Sequence, residues 1–349
     1  MAVEARALPK SVALIDRIYD WIERLPIPGL LFFGLFYVAV VTIHHLLMWA
    51  DGSLPAGEFS TPVLLTIYLW ATISPGTYYY MRRVAVQTID GFRSALDVND
   101  AEFEALRVDF SRLPRRAGAG ILWFSFVIMA LAIPSIPSII DSHFFTPYSR
   151  FLFWPVMFVI APFSVSTFYY AFRSLGAVSR VYDRVKQINL FNLSPLYGLS
   201  VFTSRVGMVF ILYTLLNQVT ADAWGDAGTG DAIAAFYLVL NSGTALLAFI
   251  VPLYGIHLRL VAEKERVSEE NNARLNKAFW DLQNKMDTGK LDDIGQFRTG
   301  VSALMEFRAE LKKIPTWPWD AGTLRQFLTA LFIPLTVWSL QQILLRMVQ

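Results

Sequence analysis

With 349 residues, 55% of them hydrophobic, and a mean hydropathy of +0.44, the chain is too apolar for a soluble protein, and its net charge of +2 gives no reason to expect a nucleic-acid partner. The absence of cysteine excludes a disulfide framework, a thiolate metal site and a cysteine nucleophile. The apolar residues fall in long uncharged blocks, which predicts an all-α polytopic membrane protein.

Residues 1–28 do not read as a signal peptide, because they carry several charges and no small-residue cleavage site follows a short apolar core. Within them Ile15, Ile18, Ile22 and Leu25 fall at three- and four-residue spacing, with Asp16, Arg17, Asp20 and Glu23 between. This predicts an amphipathic helix lying along the inner membrane surface or packed on the cytoplasmic stem described below.

Seven spans are expected at about 29–48, 61–81, 117–140, 151–172, 205–220, 232–256 and 326–345, most near the ~20 residues that cross a bilayer. The second contains Ser74-Pro75-Gly76, a kink signal, and the third has Pro134 and Pro137 near its outer end. In the polar segment 82–116, Asn99 three residues before Glu102 predicts a helix start, and Phe103, Leu106, Phe110 and Leu113 then share one face. Segment 173–204 reads as helices extending below the membrane with an elbow at Pro195. Arg205 is placed to snorkel to the inner interface, and Asn241–Thr244 form a polar midpoint in the sixth span.

Residues 257–314 form a charged helical stem. Val267, Leu275, Phe279, Leu282 and Met286 make one apolar stripe up to Gly289. Leu291, Ile294, Phe297, Val301, Leu304, Phe307 and Leu311 make a second. Neither stripe holds strict heptads, so an antiparallel packed hairpin is expected rather than a regular coiled coil. Four units follow: an N-terminal helix (1–28), a six-helix membrane domain (29–256), a cytoplasmic helical anchor (257–320) and a C-terminal transmembrane helix (321–349). Of the 30 Lys and Arg, 28 fall on one side of these spans, the exceptions being Arg150 and Arg346. The positive-inside rule then puts the N-terminus and the stem in the cytoplasm and the C-terminus outside. The outer loops carry Asp51, Glu58, Asp141, Asp222, Asp226 and Asp231, either a cation-concentrating mouth or simply solvated loop residues.

Enzyme motifs are missing, and no cofactor or metal is expected. His44 and His45 point about 100° apart on a helix and do not readily share one metal, so a hydrogen-bonded interior role is expected. The span cores lack Asp, Glu, Lys and Arg, which argues against a proton relay. Tyr68, Tyr78, Trp123, Trp154, Tyr169, Tyr213 and Tyr237 are candidates to line an outer-half cavity for a small apolar ligand, against the alternative of core and interfacial packing. On the last span, Thr329, Phe332, Thr336, Ser339, Leu340 and Ile343 share a face with Arg346, Gln342 lies at its edge, and Phe327, Leu331, Trp338 and Leu345 lie opposite. That hydroxylated face either packs on a neighbouring helix or lines water.

Seven spans, an inside N-terminus, cytoplasmic helices before the last span and that span at the extreme C-terminus resemble the insect odorant and gustatory receptor channels and their seven-transmembrane relatives. The nearest counterpart of the gustatory Thr-Tyr…Gln-Phe signature is Thr336-Val337-Trp338 with Gln341-Gln342, without the tyrosine. The resemblance implies a homotetramer joined through 257–320, a central cation pore lined by the last helix, and a ligand pocket among the earlier spans. A bacterial inner membrane is the expected location. The competing readings are a non-conducting sensor or scaffold signalling through the stem, and an uncoupled transporter of an apolar substrate.

Overall fold

The computed structural model describes residues 13–59, 62–132, 147–182, 184–185, 188–223, 230–288 and 294–348. Pro134, Pro137, Asp141, Asp226, Gly289 and Leu291 lie outside the described residues. Among those described the chain is helical, with an isolated bridge between Leu96 and Val185. The helices are α1 (Leu14–Ile22), α2 (Gly29–Ala50), α3 (Pro62–Phe92), α4 (Asp100–Ser111), α5 (Arg115–Ala132), α6 (Pro147–Tyr182), α7 (Ser194–Ala223), α8 (Gly230–Asp287), α9 (Ile294–Lys313) and α10 (Ala321–Val348). Among the described residues five stretches are long and apolar enough to cross a membrane, at Gly29–Ala50, Trp154–Tyr182, Ser194–Gln218, Ala235–Asp287 and Ala321–Leu340. This pattern fits a multi-pass membrane protein.

α7 is the central post. Of its most apolar stretch 72% is buried, against 17% in α10; α3, α8 and α10 pack directly on α7, α10 leaning on it from outside. The post starts at Ser194-Pro195, where proline loses nothing because a first-turn N–H has no intrahelical acceptor. α8 is one 58-residue helix, about 87 Å long, that serves as both span and stem. Its stem half, LRLVAEKERVSEENNARLNKAF, is rich in strong helix formers, so nothing stops the helix where the apolar stretch ends. α9 returns antiparallel along it. The Asn271 amide donates to the Leu304 carbonyl (3.2 Å), and Lys264 Nζ donates to the carbonyls of Lys312 (3.0 Å) and Ile314 (2.7 Å) at the C-terminal end of α9. Leu275 and Leu311 are buried in this hairpin, whereas Phe279 and Met286 are exposed toward its tip.

α4 starts on the expected capping box. Asn99 Oδ1 accepts from the Glu102 amide (2.9 Å), and Glu102 Oε2 accepts from the Asn99 amide (3.1 Å). Its Asp109 takes Arg173 and Arg180 of α6, and the Tyr170 hydroxyl donates to the Phe110 carbonyl (3.0 Å).

The main departure from the sequence reading is α1. It packs on α3 and α5 rather than on the stem, and its buried face is Ile15, Asp16, Tyr19, Asp20 and Ile22, whereas Ile18 is exposed. The acids expected on a solvated face are interior. Asp16 accepts from the Tyr78 hydroxyl (2.7 Å) and the Leu113 amide (2.7 Å). Arg82 of α3 donates to the Asp16 carbonyl (3.2 Å) and to the Asp20 carboxylate, and Arg112 reaches the other Asp20 oxygen (3.1 Å). Burial pushes the Asp16 carboxyl up, opposed by Tyr78, Arg82, the Leu113 amide and Arg112. Burial also works against the Arg82 charge, but Glu23, Asp20 and Asp16 outweigh it and hold the guanidinium more firmly charged than usual. Ala13 seats against Gly118, where an added Cβ would meet the Ala13 Cβ at 2.5 Å.

Removing one partner strands a buried charge, so Arg82→Met should cost about 3–5 kcal/mol. Asp20→Asn in the same chain should recover part of that loss. Chemical unfolding of the single and double variants in detergent checks both, with coupling between them as the signature.

Candidate functional site

The last helix is held by one edge only. Phe327 is fully buried, its ring set against Gly207 of α7, where an added Cβ would come within 2.7 Å of the ring and 3.0 Å of the Ala245 carbonyl oxygen. Gln218 of α7 donates from Nε2 to the Pro334 carbonyl (3.1 Å), a polar tie where hydrocarbon offers no competing partner. Leu331 and Trp338, on the same side as Phe327, are half-buried.

The opposite face is open. Thr329, Phe332, Thr336, Ser339, Leu340 and Ile343 are all exposed, with Phe332 at 58% and Leu340 and Ile343 at 55%. The exposed arc also takes in Leu328, Ile333, Val337, Leu344 and Met347, so it is broader than the face expected from the wheel. Arg325, Thr329, Phe332 and Thr336 line an open groove of about 700 Å³. The Thr336 and Ser339 hydroxyls donate to the carbonyls of Phe332 and Leu335 (2.8 Å each) in their own helix. Their oxygens keep accepting capacity on the outward side. Gln342 lies in the helix, and its side chain is outside the described residues.

The Pro-Trp segment before this helix builds a ladder of rings. His257 stacks on Trp317 (4.0 Å between centroids, 12° between planes), Trp317 on Trp319 (4.4 Å, 13°), Trp319 on Phe249 (5.2 Å, 24°) and Phe249 on Phe327 (4.4 Å, 26°). His257 Nδ1–H donates to the Thr316 carbonyl (3.0 Å). The ladder joins the base of the stem directly to the buried edge of the last helix. Asp320 starts α10, accepting from the Thr323 amide (2.9 Å) and hydroxyl (2.6 Å), and these bonds lower its carboxyl below the usual range.

The seven aromatic candidates are divided. Tyr68, Tyr78 and Tyr213 are buried and occupied: the Tyr68 hydroxyl meets His44 Nδ1 (2.6 Å), Tyr78 serves Asp16, and the Tyr213 hydroxyl meets Thr77 Oγ1 (2.7 Å). Trp154 is half-buried, while Trp123 (69%), Tyr169 (40%) and Tyr237 (38%) face outward. None of the seven lines the last-helix groove, a stem groove at Asn271 and Phe297, or a groove at Glu102 and Arg184. Residues 133–146 and 224–229, which the sequence reading places in outer loops, lie outside the described ones. No group of three His, Asp or Glu able to hold a metal occurs among the described residues.

A hydroxyl network went unread in the sequence. The Ser74 carbonyl accepts from Thr77 (2.9 Å) and Thr167 (3.0 Å), Ser164 donates to the Ser74 hydroxyl (2.9 Å), and Tyr19 donates to the Pro75 carbonyl (3.0 Å). Together they tie α1, α3 and α6 at the proline, and the Tyr213 bond to Thr77 adds α7. Pro75 beside Ser and Thr was the available signal, because a proline inside a span loosens backbone pairing that neighbouring hydroxyls re-satisfy.

No family model matches the chain, and neither a curated protein nor a solved structure matches it.

Phe327→Ala should loosen the last helix by roughly 3 kcal/mol, and Gly207→Val should do so by steric exclusion. Hydrogen exchange in 321–348 should rise in both variants and stay unchanged in the stem hairpin.

Proposed function

We propose that the chain is one subunit of an oligomeric, ligand-gated cation channel, a homotetramer in which α10 lines a central pore. The observation that carries this reading is the division of α10. One edge is bolted to α7 and the ring ladder, while the hydroxyl-bearing face of Thr329, Thr336 and Ser339 is exposed and covered by no other helix among the described residues. A face that mixes hydroxyls with Phe332, Leu340 and Ile343 suits a pore that wets and dewets. In this reading the stretches 61–81 and 117–140, within or overlapping α3 and α5, are spans two and three. Seven spans then put the stem in the cytoplasm and the C-terminus outside, in a bacterial inner membrane. The architecture resembles the insect odorant and gustatory receptor channels, and the stem hairpin, with Phe279, Trp280 and Met305 exposed, provides the surface through which four copies assemble.

Gating follows from the ladder. A shift of α8 at Phe249 or His257 is passed through Trp319 to Phe327, and so to the open face of α10. A ligand bound among the earlier spans acts on the same helix.

The deciding measurement is the oligomeric state in nanodiscs, read by particle imaging: four-fold symmetry with α10 at the axis is expected, and a monomer sinks the proposal. In planar bilayers, Leu340→Ser should raise open probability about tenfold, a change of ~1.4 kcal/mol in gating, and Ser339→Ala should alter unitary conductance. Conductance and gating unaltered in both variants would show that this face lines no pore. Trp319→Ala should weaken ligand-evoked opening while leaving unitary conductance as it was.

A further inference from the structure

α1 sorts its charges onto two faces. Asp16 and Asp20 turn inward to Arg82 and Arg112, and Glu23 follows at the helix end with Oε2 3.7 Å from Arg82. The outward face carries Leu14 (58% exposed), Arg17, Ile18 (37%), Trp21 (55%) and Arg24, at spacings of three and four residues. It holds no acidic residue, and neither arginine makes an ion pair among the described residues. The exposed Arg115 and Arg116 open α5 beside the Ala13–Gly118 contact, extending the same basic rim.

The face lies at the end of a membrane-crossing helix. Only six residues lie between Ile22 and Gly29 at the start of α2, so α1 sits within about 25 Å of that end. Trp21 meets Phe32 edge-on (6.2 Å), and the exposed Leu30 and Leu31 continue the apolar surface onto α2. An apolar stripe flanked by cations, with Asp16 and Asp20 withdrawn to the interior and the exposed Glu23 turned toward Arg82, matches a leaflet boundary bearing anionic headgroups.

We propose that α1 is a docking site for anionic phospholipid. Leu14, Ile18 and Trp21 enter the acyl boundary, and Arg17 and Arg24, with Arg115 and Arg116, take the headgroup phosphates. The helix is tied to the proline of α3 through Tyr19 and to Arg82 through its acids, so lipid held here loads a structural span. The site is independent of the pore and stands whether or not α10 conducts.

The test uses the full chain in phosphatidylcholine nanodiscs containing a minor fraction of phosphatidylglycerol, with brominated acyl chains on one lipid or the other. The Trp21 signal is the difference between the wild type and Trp21→Phe. At equal mole fraction, brominated phosphatidylglycerol should quench Trp21 several-fold more than brominated phosphatidylcholine, each arginine at an anionic surface being worth about fivefold. The double variant Arg17→Gln, Arg24→Gln should bring the ratio close to one, with quenching by phosphatidylcholine retained. Both positions are exposed, so the fold should survive. Equal quenching by the two lipids in the wild type, or a preference unchanged in the double variant, overturns the proposal. Absence of quenching by either lipid overturns it too, because the face would then be covered by protein.

Discussion

The Arg82 guanidinium, 4% exposed, is the point on which the stem end of the bundle depends. A buried cation is tolerated only when carboxylates and carbonyls replace its water, and α1 supplies nearly all of them. The Asp16 main chain, the Asp20 carboxylate and, farther off, Glu23 converge on it. The same cluster reaches the α4–α5 junction through Arg112 and the Leu113 amide, and α3 again through Tyr78. Helices α1 and α3 and this junction are thus held by one charge and its ligands. The arrangement has directional consequences that apolar packing lacks, because it fixes which face of α1 turns inward and so which face stays exposed.

The rest of the bundle works by close approach. α7 supplies Gly207 where the last helix needs a ring against backbone, and Gln218 where that helix needs a polar tie. Phe249, Trp319 and Trp317 carry the contact outward to His257 at the root of the stem. The stem and the last helix are therefore one mechanical unit, although sixty residues of hairpin lie between them in sequence. Both sides of this unit offer unpartnered surface: the hydroxylated face of α10, and the exposed aromatic and Met side chains of the hairpin. That combination supports the channel reading, in which copies meet through the stem and surround water with α10.

Much of the architecture was legible before any coordinates. The apolar blocks mark the long apolar helices, the Asn99–Glu102 pair starts α4 as expected, and the stem stripes meet at Leu275 and Leu311 while Phe279 and Met286 of the first stripe stay exposed. The helical wheel of α10 separates Phe327 from Thr336 correctly. The aromatic residues were not legible in the same way. Tyr68, Tyr78 and Tyr213 look identical to Tyr169 and Tyr237 in sequence, yet the first three are consumed by interior hydrogen bonds and the last two face outward. Even the continuity of α8 had to be seen, because a change from apolar to charged composition resembles a boundary although the backbone has no reason to break.

Apolar length and 3.6-residue periodicity act locally, so the helical class, the apolar stretches long enough to cross a membrane and the two unlike faces of the last helix are already set in the sequence, whereas which of those faces packs and which stays open is not. Only the tertiary structure decided that Asp16 and Asp20 point inward, since their partner Arg82 is more than sixty residues away and periodicity carries no information about partners. It likewise decided that α10 is secured at a single edge. Gly207 matters only because Phe327 arrives from the far end of the chain, and that meeting is a property of packing in three dimensions.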